Sequence, residues 1–176
     1  MKNVKCIHPI KANKAIKEFI KTVYNEPVDF ALSIAKNGSM NYAVWGDVTE
    51  DEEILIFIPN WRKADFKHDK GGKWFRKDFT ERCPLAKGFS DVTISLLHEI
   101  GHSMTNYLLA EDYDRKAEFE KLKTACKAKT PKEQTFAYFK MTDENLATNW
   151  AIDWLADAEH RKIAKKFEKK FWACFE

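Results

Sequence analysis

No run of this sequence is long and apolar enough to cross a bilayer, and Met1 to Asn13 holds no apolar stretch of the signal-peptide kind. No membrane partner is expected. Cysteine is scarce: Cys6, Cys83, Cys126 and Cys174 are widely scattered, and none forms a C-x-x-C pair. That spacing argues against a cysteine zinc site. The thiols read as reduced, as in a cytoplasmic protein, although an even number leaves disulfides open. The net charge of +3 is too small to imply nucleic-acid binding by itself. There is no internal repeat, low-complexity linker or domain boundary. What remains is a chain of 176 residues, 44% hydrophobic and 14% aromatic, suited to one domain with a sizeable core.

The most informative stretch is His98-Glu99-Ile100-Gly101-His102. On an α-helix, positions i and i+4 share a face, so His98 and His102 can point two imidazoles at one ion. Zinc accepts neutral imidazole nitrogen and prefers a tetrahedral shell. Glu99 projects beside the pair, where it can reach a zinc-bound water without ligating the metal. This is the H-E-x-x-H arrangement of zinc peptidases. Ser90 reads as the N-cap and Asp91 suits the positive end of the dipole. Thr93, Leu96, Leu97, Ile100, Met104, Tyr107 and Leu108 form the face opposite the histidines, so the helix is expected to bury that side and offer the other to a cleft.

Elsewhere, Lys11 to Tyr24 has helical spacing in Ala12, Ala15, Ile16, Phe19, Ile20 and Val23. Val28 to Ile34 and Tyr42 to Val48 read as strands of a hairpin turned at Asn37-Gly38. Ile54 to Ile58 reads as a third strand, either an edge open to an extended peptide or an interior strand. Trp61 to Phe89 reads as a long ordered loop, with room for a short helix, lining or covering a cleft. Its lysines and aromatics resemble a nucleic-acid surface, but Asp65, Asp69 and Asp78 dilute the charge, and anchoring on the core is the preferred reading. Helices are expected over Lys116 to Lys129 and, capped by Thr142, from Asp143 toward the C-terminus. The basic residues from Arg161 to Lys170 are read as a solvated face, with Phe167 and Phe171 docked on the domain.

A catalytic zinc usually has three protein ligands and an open position. Thr105 and Leu108 stand where a metzincin would need Gly and His. Glu144, in the first turn of the later long helix, is the preferred third ligand, with Asn145, Thr148 and Asn149 as groups able to orient a histidine. Asp143, Asp153, His160 and the cluster Glu111 to Asp114 remain as alternatives. The motif His98-Glu99-Ile100-Gly101-His102 followed by Glu144-x-x-Ala147-x-x-Trp150-Ala151 resembles the ImmA/IrrE-like zinc metallopeptidases, whose small relatives are common in phages and mobile elements. The resemblance implies His98, His102 and Glu144 as ligands of one Zn2+ and Glu99 as general base. The ending Trp154-Leu155-Ala156-Asp157 departs from that family's pattern, and no helix-turn-helix module is evident.

The expectation is therefore a single α+β zincin-like domain with a small sheet, an active helix and C-terminal helices. It would hydrolyse peptide bonds of a protein substrate, with zinc-bound water activated by Glu99. His68, His160, Tyr113 and Tyr138 are candidates for stabilising the oxyanion, whereas Tyr107 is expected in the core. The alternative is a non-catalytic, zinc-stabilised protein of a phage or mobile element that binds a protein or nucleic-acid partner.

Overall fold

The structure is a computed structural model. It describes residues 7–24, 32–34, 45–48, 54–58 and 70–175, with the strands and residues 70–74 described by their backbone. Among the described residues, seven helices follow in order: α1 (Pro9–Tyr24), α2 (Lys70–Arg82), α3 (Asp91–Thr105), α4 (Arg115–Ala125), α5 (Pro131–Tyr138), α6 (Thr142–Ala156) and α7 (Ala158–Trp172). Short 3-10 turns at Pro84–Gly88 and Asn106–Leu108 flank α3.

Helix α3 is the centre of the body. Val92, Ile94, Leu96, Leu97 and Ile100 are all essentially inaccessible to solvent. Each buried side chain of this size contributes about 1.5–3 kcal/mol relative to exposure. Helix α6 packs along α3 more extensively than any other pair of elements. Helix α1 buries Ala12, Ala15, Ile16, Phe19 and Ile20, the i, i+3, i+4, i+7 pattern legible in its sequence. The Phe19 ring stacks on Phe167 of α7 at 4.4 Å and meets Trp154 of α6 edge-on at 6.1 Å. Phe167 and Phe171 are indeed docked in the core, and Lys165, Lys166, Lys169 and Lys170 lie on the exposed side of α7.

The expected α+β class is corrected. Of the residues whose side chains are described, 81% are helical and none lies in a strand. Among the described residues, the buried core is drawn from helices and their connecting turns. Apolar stripes on successive helices close on one another, so the body carrying the site is all-α. Beside it the backbone traces three short strands, β1 (Leu32–Ile34), β2 (Trp45–Val48) and β3 (Ile54–Ile58), in the order β1-β3-β2. Strand β1 runs parallel to β3, pairing Leu32 with Ile56, and β2 runs antiparallel to it, pairing Trp45 with Phe57. The first two strands therefore do not form a hairpin, and β3 is the middle strand rather than an open edge. The Asn37-Gly38 turn lies outside the described residues.

Three local expectations also change. Within Trp61 to Phe89, residues 61–69 lie outside the described residues, and the remainder is mostly helix, α2 and a 3-10 turn, against the expected loop with room for a short helix. Ser90 occupies the N-cap of α3, but its side chain makes no cap. Glu168 of α7 accepts from the Ser90 amide and, at 2.6 Å, from the Thr93 hydroxyl, placing its carboxylate at the positive helix end. The C-terminal helix is two helices. Asp157 accepts from the amides of Glu159 and His160 to start α7. Arg161 donates to the Leu155 and Ala156 carbonyls left free at the end of α6.

Candidate metal centre

The centre is built where α3 and α6 cross. One turn separates His98 from His102 on α3, and their rings lie 4.7 Å apart between centroids at 82°. Their Nε2 atoms approach to 3.2 Å. Glu144 comes from the first turn of α6, with Oε2 at 3.0 Å from His98 Nε2 and Oε1 at 3.7 Å from His102 Nε2. Close approach of the two helices makes this convergence possible. Gly101 faces the backbone of Ala147, and both residues are buried.

This group could hold a metal ion. Two ligands about 2.0–2.1 Å from a tetrahedral ion sit about 3.3 Å apart. The two Nε2 atoms, 3.2 Å apart, and His98 Nε2 with Glu144 Oε2, 3.0 Å apart, lie close to that value, and the other carboxylate oxygen, Oε1, is 3.7 Å from His102 Nε2. Hydrogen bonding points the same way. His98 Nδ1 lies 3.1 Å from the Thr148 hydroxyl. With the proton assigned to Nδ1 and donated to Thr148, the Nε2 lone pair faces the Glu144 carboxylate. In that tautomer the Nε2 lone pair is free to ligate a cation shared with the carboxylate, and with the proton on Nε2 instead the same contact is a hydrogen bond to Glu144. Thr148 is thus the orienting group among the three polar residues singled out in the sequence. Asn145 and Asn149 instead engage Arg82 of α2.

The electrostatics are strongly coupled. Burial by itself would raise the Glu144 carboxyl, but the bonds to His102 and His98 outweigh it and hold the group well below the usual carboxylate range. For His102, burial alone would lower the pKa. The bond to Glu144 and the charges of Glu144, Glu99 and Asp143 prevail and raise it. Glu99 is half-buried on α3, close enough for its charge to act on His102. Contrary to the expectation of an open cleft face, the His98 side chain is only 6% exposed, and His102, at 19%, is the more exposed of the two imidazoles. Phe75 of α2 covers His98 edge-on at 4.9 Å.

The alternative ligands are placed elsewhere or otherwise engaged. Asp143 adjoins Glu144 but accepts from Arg115, and its Oδ1 accepts from the Glu144 amide. His160 lies flat on Trp154 at 4.5 Å and 8°. Asp153 is exposed. In the Glu111 to Asp114 turn, Asp114 caps α4 through the Ala117 amide. Among the oxyanion candidates, His68 lies outside the described residues. The Tyr113 hydroxyl stands 2.9 Å from both Glu118 Oε2 and Asp143 Oδ1. Tyr107 is 80% exposed rather than in the core, because α3 ends at Thr105 and the chain turns outward.

Sequence reasoning missed Arg115. Its Nη2 donates to Glu144 Oε1 and to the Tyr138 hydroxyl, and its Nε donates to Asp143 Oδ2. Nothing in its spacing from the motif signals this. Only the meeting of the first turn of α4 with the start of α6, through Arg115 and Glu118, brings it there.

Comparison with family models, curated proteins and solved structures finds no match for this chain. No helix among the described residues is long and apolar enough to cross a membrane. Cys83, Cys126 and Cys174 are free thiols.

Proposed function

We propose that this chain is a zinc-dependent metallopeptidase related to the ImmA/IrrE-like enzymes, with one Zn2+ held by His98, His102 and Glu144. The convergence of these three groups, with Glu99 beside them, is the observation that carries the reading. The pairing of Gly101 with Ala147 adds support. It gives a packing reason for two small residues shared with the family's motifs.

Zinc bound here would polarise a peptide carbonyl and lower the pKa of water. Glu99 takes the proton of the attacking water and returns it to the leaving amine. Thr148 keeps the His98 ring in the tautomer that presents Nε2. Phe75 excludes water from one side of that ring. The substrate proposed is a protein or peptide, bound without nucleic acid or membrane, in the cytoplasm.

The low exposure of His98 and Glu144 favours one other reading, a metal-stabilised protein that binds a partner without cleaving it. A Glu99→Gln variant separates the two. Under the peptidase reading it retains zinc and loses proteolysis of a candidate protein panel by at least about 100-fold. Under the binding reading, wild type and variant are equally inactive.

A further inference from the structure

We infer that Arg115 is a positioning residue of the metal centre: by holding one oxygen of Glu144, it makes the carboxylate present the other to the ion. The inference rests on the metal-centre reading. Glu144 uses its two oxygens differently. Oε2 makes the closest approach to an imidazole, 3.0 Å from His98 Nε2. Oε1 is turned to Arg115 Nη2 and stands 3.7 Å from His102 Nε2. A carboxylate anchored in this way donates one oxygen to a metal, which leaves a coordination position for water or substrate.

Arginine suits this task for two reasons. The guanidinium bonds Asp143 through Nε and Glu144 through Nη2, so one rigid fork sets two consecutive carboxylates on α6. Asp143 also offsets the positive charge, so the anchor adds little net repulsion toward a bound cation. Asp143 is itself fixed by the Glu144 amide at 2.8 Å and by the Tyr113 hydroxyl at 2.9 Å. Glu144 is 2% exposed while Arg115 is 48% exposed. The anchor is therefore attached from the rim of the site to a carboxylate at its floor.

The test compares wild type with Arg115→Gln and Arg115→Lys in metal-free protein, titrated with Zn2+ and with Co2+. Thermal unfolding of the metal-free forms establishes that each is folded. The lysine variant keeps the charge but cannot bond both carboxylates in one plane, so it remains informative if the glutamine variant fails to fold. The expected result is zinc binding weaker by about 10–100-fold in both variants. The cobalt visible bands should also weaken, as the freed Glu144 oxygen joins the ion and raises its coordination number. Folded Arg115→Lys protein with unchanged zinc affinity and an unchanged cobalt spectrum overturns the role of Arg115 while leaving the metal centre standing. A wild type that takes up neither ion overturns both.

Discussion

A β-carbon placed on Gly101 would lie 2.4 Å from the backbone oxygen of Ala147 and 2.9 Å from its α-carbon. These contacts are with backbone, so a rotamer change cannot relieve them. Gly101→Ala must push α3 and α6 apart. The expected cost is about 1–3 kcal/mol in chemical denaturation, typical of overpacking a tight core. The same displacement carries Glu144 away from His98 and His102, so zinc affinity should fall with stability. A variant with wild-type stability and affinity would show that the helix contact does not set the site.

Thr148 supports His98 from behind at 3.1 Å. Thr148→Val keeps the shape and removes the hydroxyl. Metal affinity is expected to drop about 10-fold or more, as for other orienting partners of ligand histidines. Stability of the metal-free protein should change by only about 1 kcal/mol. Thr148→Ser should restore most of the affinity, measured by competition with a chromophoric chelator.

Glu118 of α4 holds the start of α6. It accepts from the Thr142 amide at 2.9 Å and from the Thr142 hydroxyl at 2.7 Å. Burial raises its pKa, but the bonds from Thr142 and Tyr113 outweigh burial and lower it below 4.5. A carboxylate depressed in the folded state contributes stability above its unfolded pKa and loses it as the pH falls through the folded value. In metal-free protein, Glu118→Gln should therefore cost about 1 kcal/mol at neutral pH. The gap should narrow as the pH is lowered below 4.5. Thermal unfolding of the two proteins across that range provides the check, and a gap that widens on acidification would contradict it.

Much of the site was legible in the sequence because its geometry is local. The step from His98 to His102 is one helical turn, and the helix dictates that they share a face. Glu144 required a second helix to cross the first, and the small residues Gly101 and Ala147 mark where that happens. Arg115 was not legible: it reaches the site from the first turn of α4 through a tertiary contact that no periodicity announces. The fold was read less well. The apolar runs Val28–Ile34 and Tyr42–Val48 suggested strand pairing but gave no register, and β3 separates the strands expected to pair. Lys70–Arg82 hid its helix because Gly71, Gly72 and seven charged residues weaken the apolar period. Tyr107 matched the buried face of α3 in phase but fell beyond its end.

Metal removal should register in the whole fold, since the proposed ligands join α3 to α6. Zinc at 100 times its dissociation constant should add about 2.7 kcal/mol to the unfolding free energy. A chelator should abolish the gain, and His102→Ala should not show it at all. Equal melting temperatures with and without zinc would mean that the ion does not bind the folded chain preferentially.

The most direct measurement is elemental analysis of the purified protein beside its Glu144→Ala variant. One equivalent of zinc per chain in the wild type, and little or none in the variant after identical dialysis, is the result expected from a centre shared by α3 and α6. A wild type without a divalent ion, or a variant that keeps its full equivalent, would contradict it.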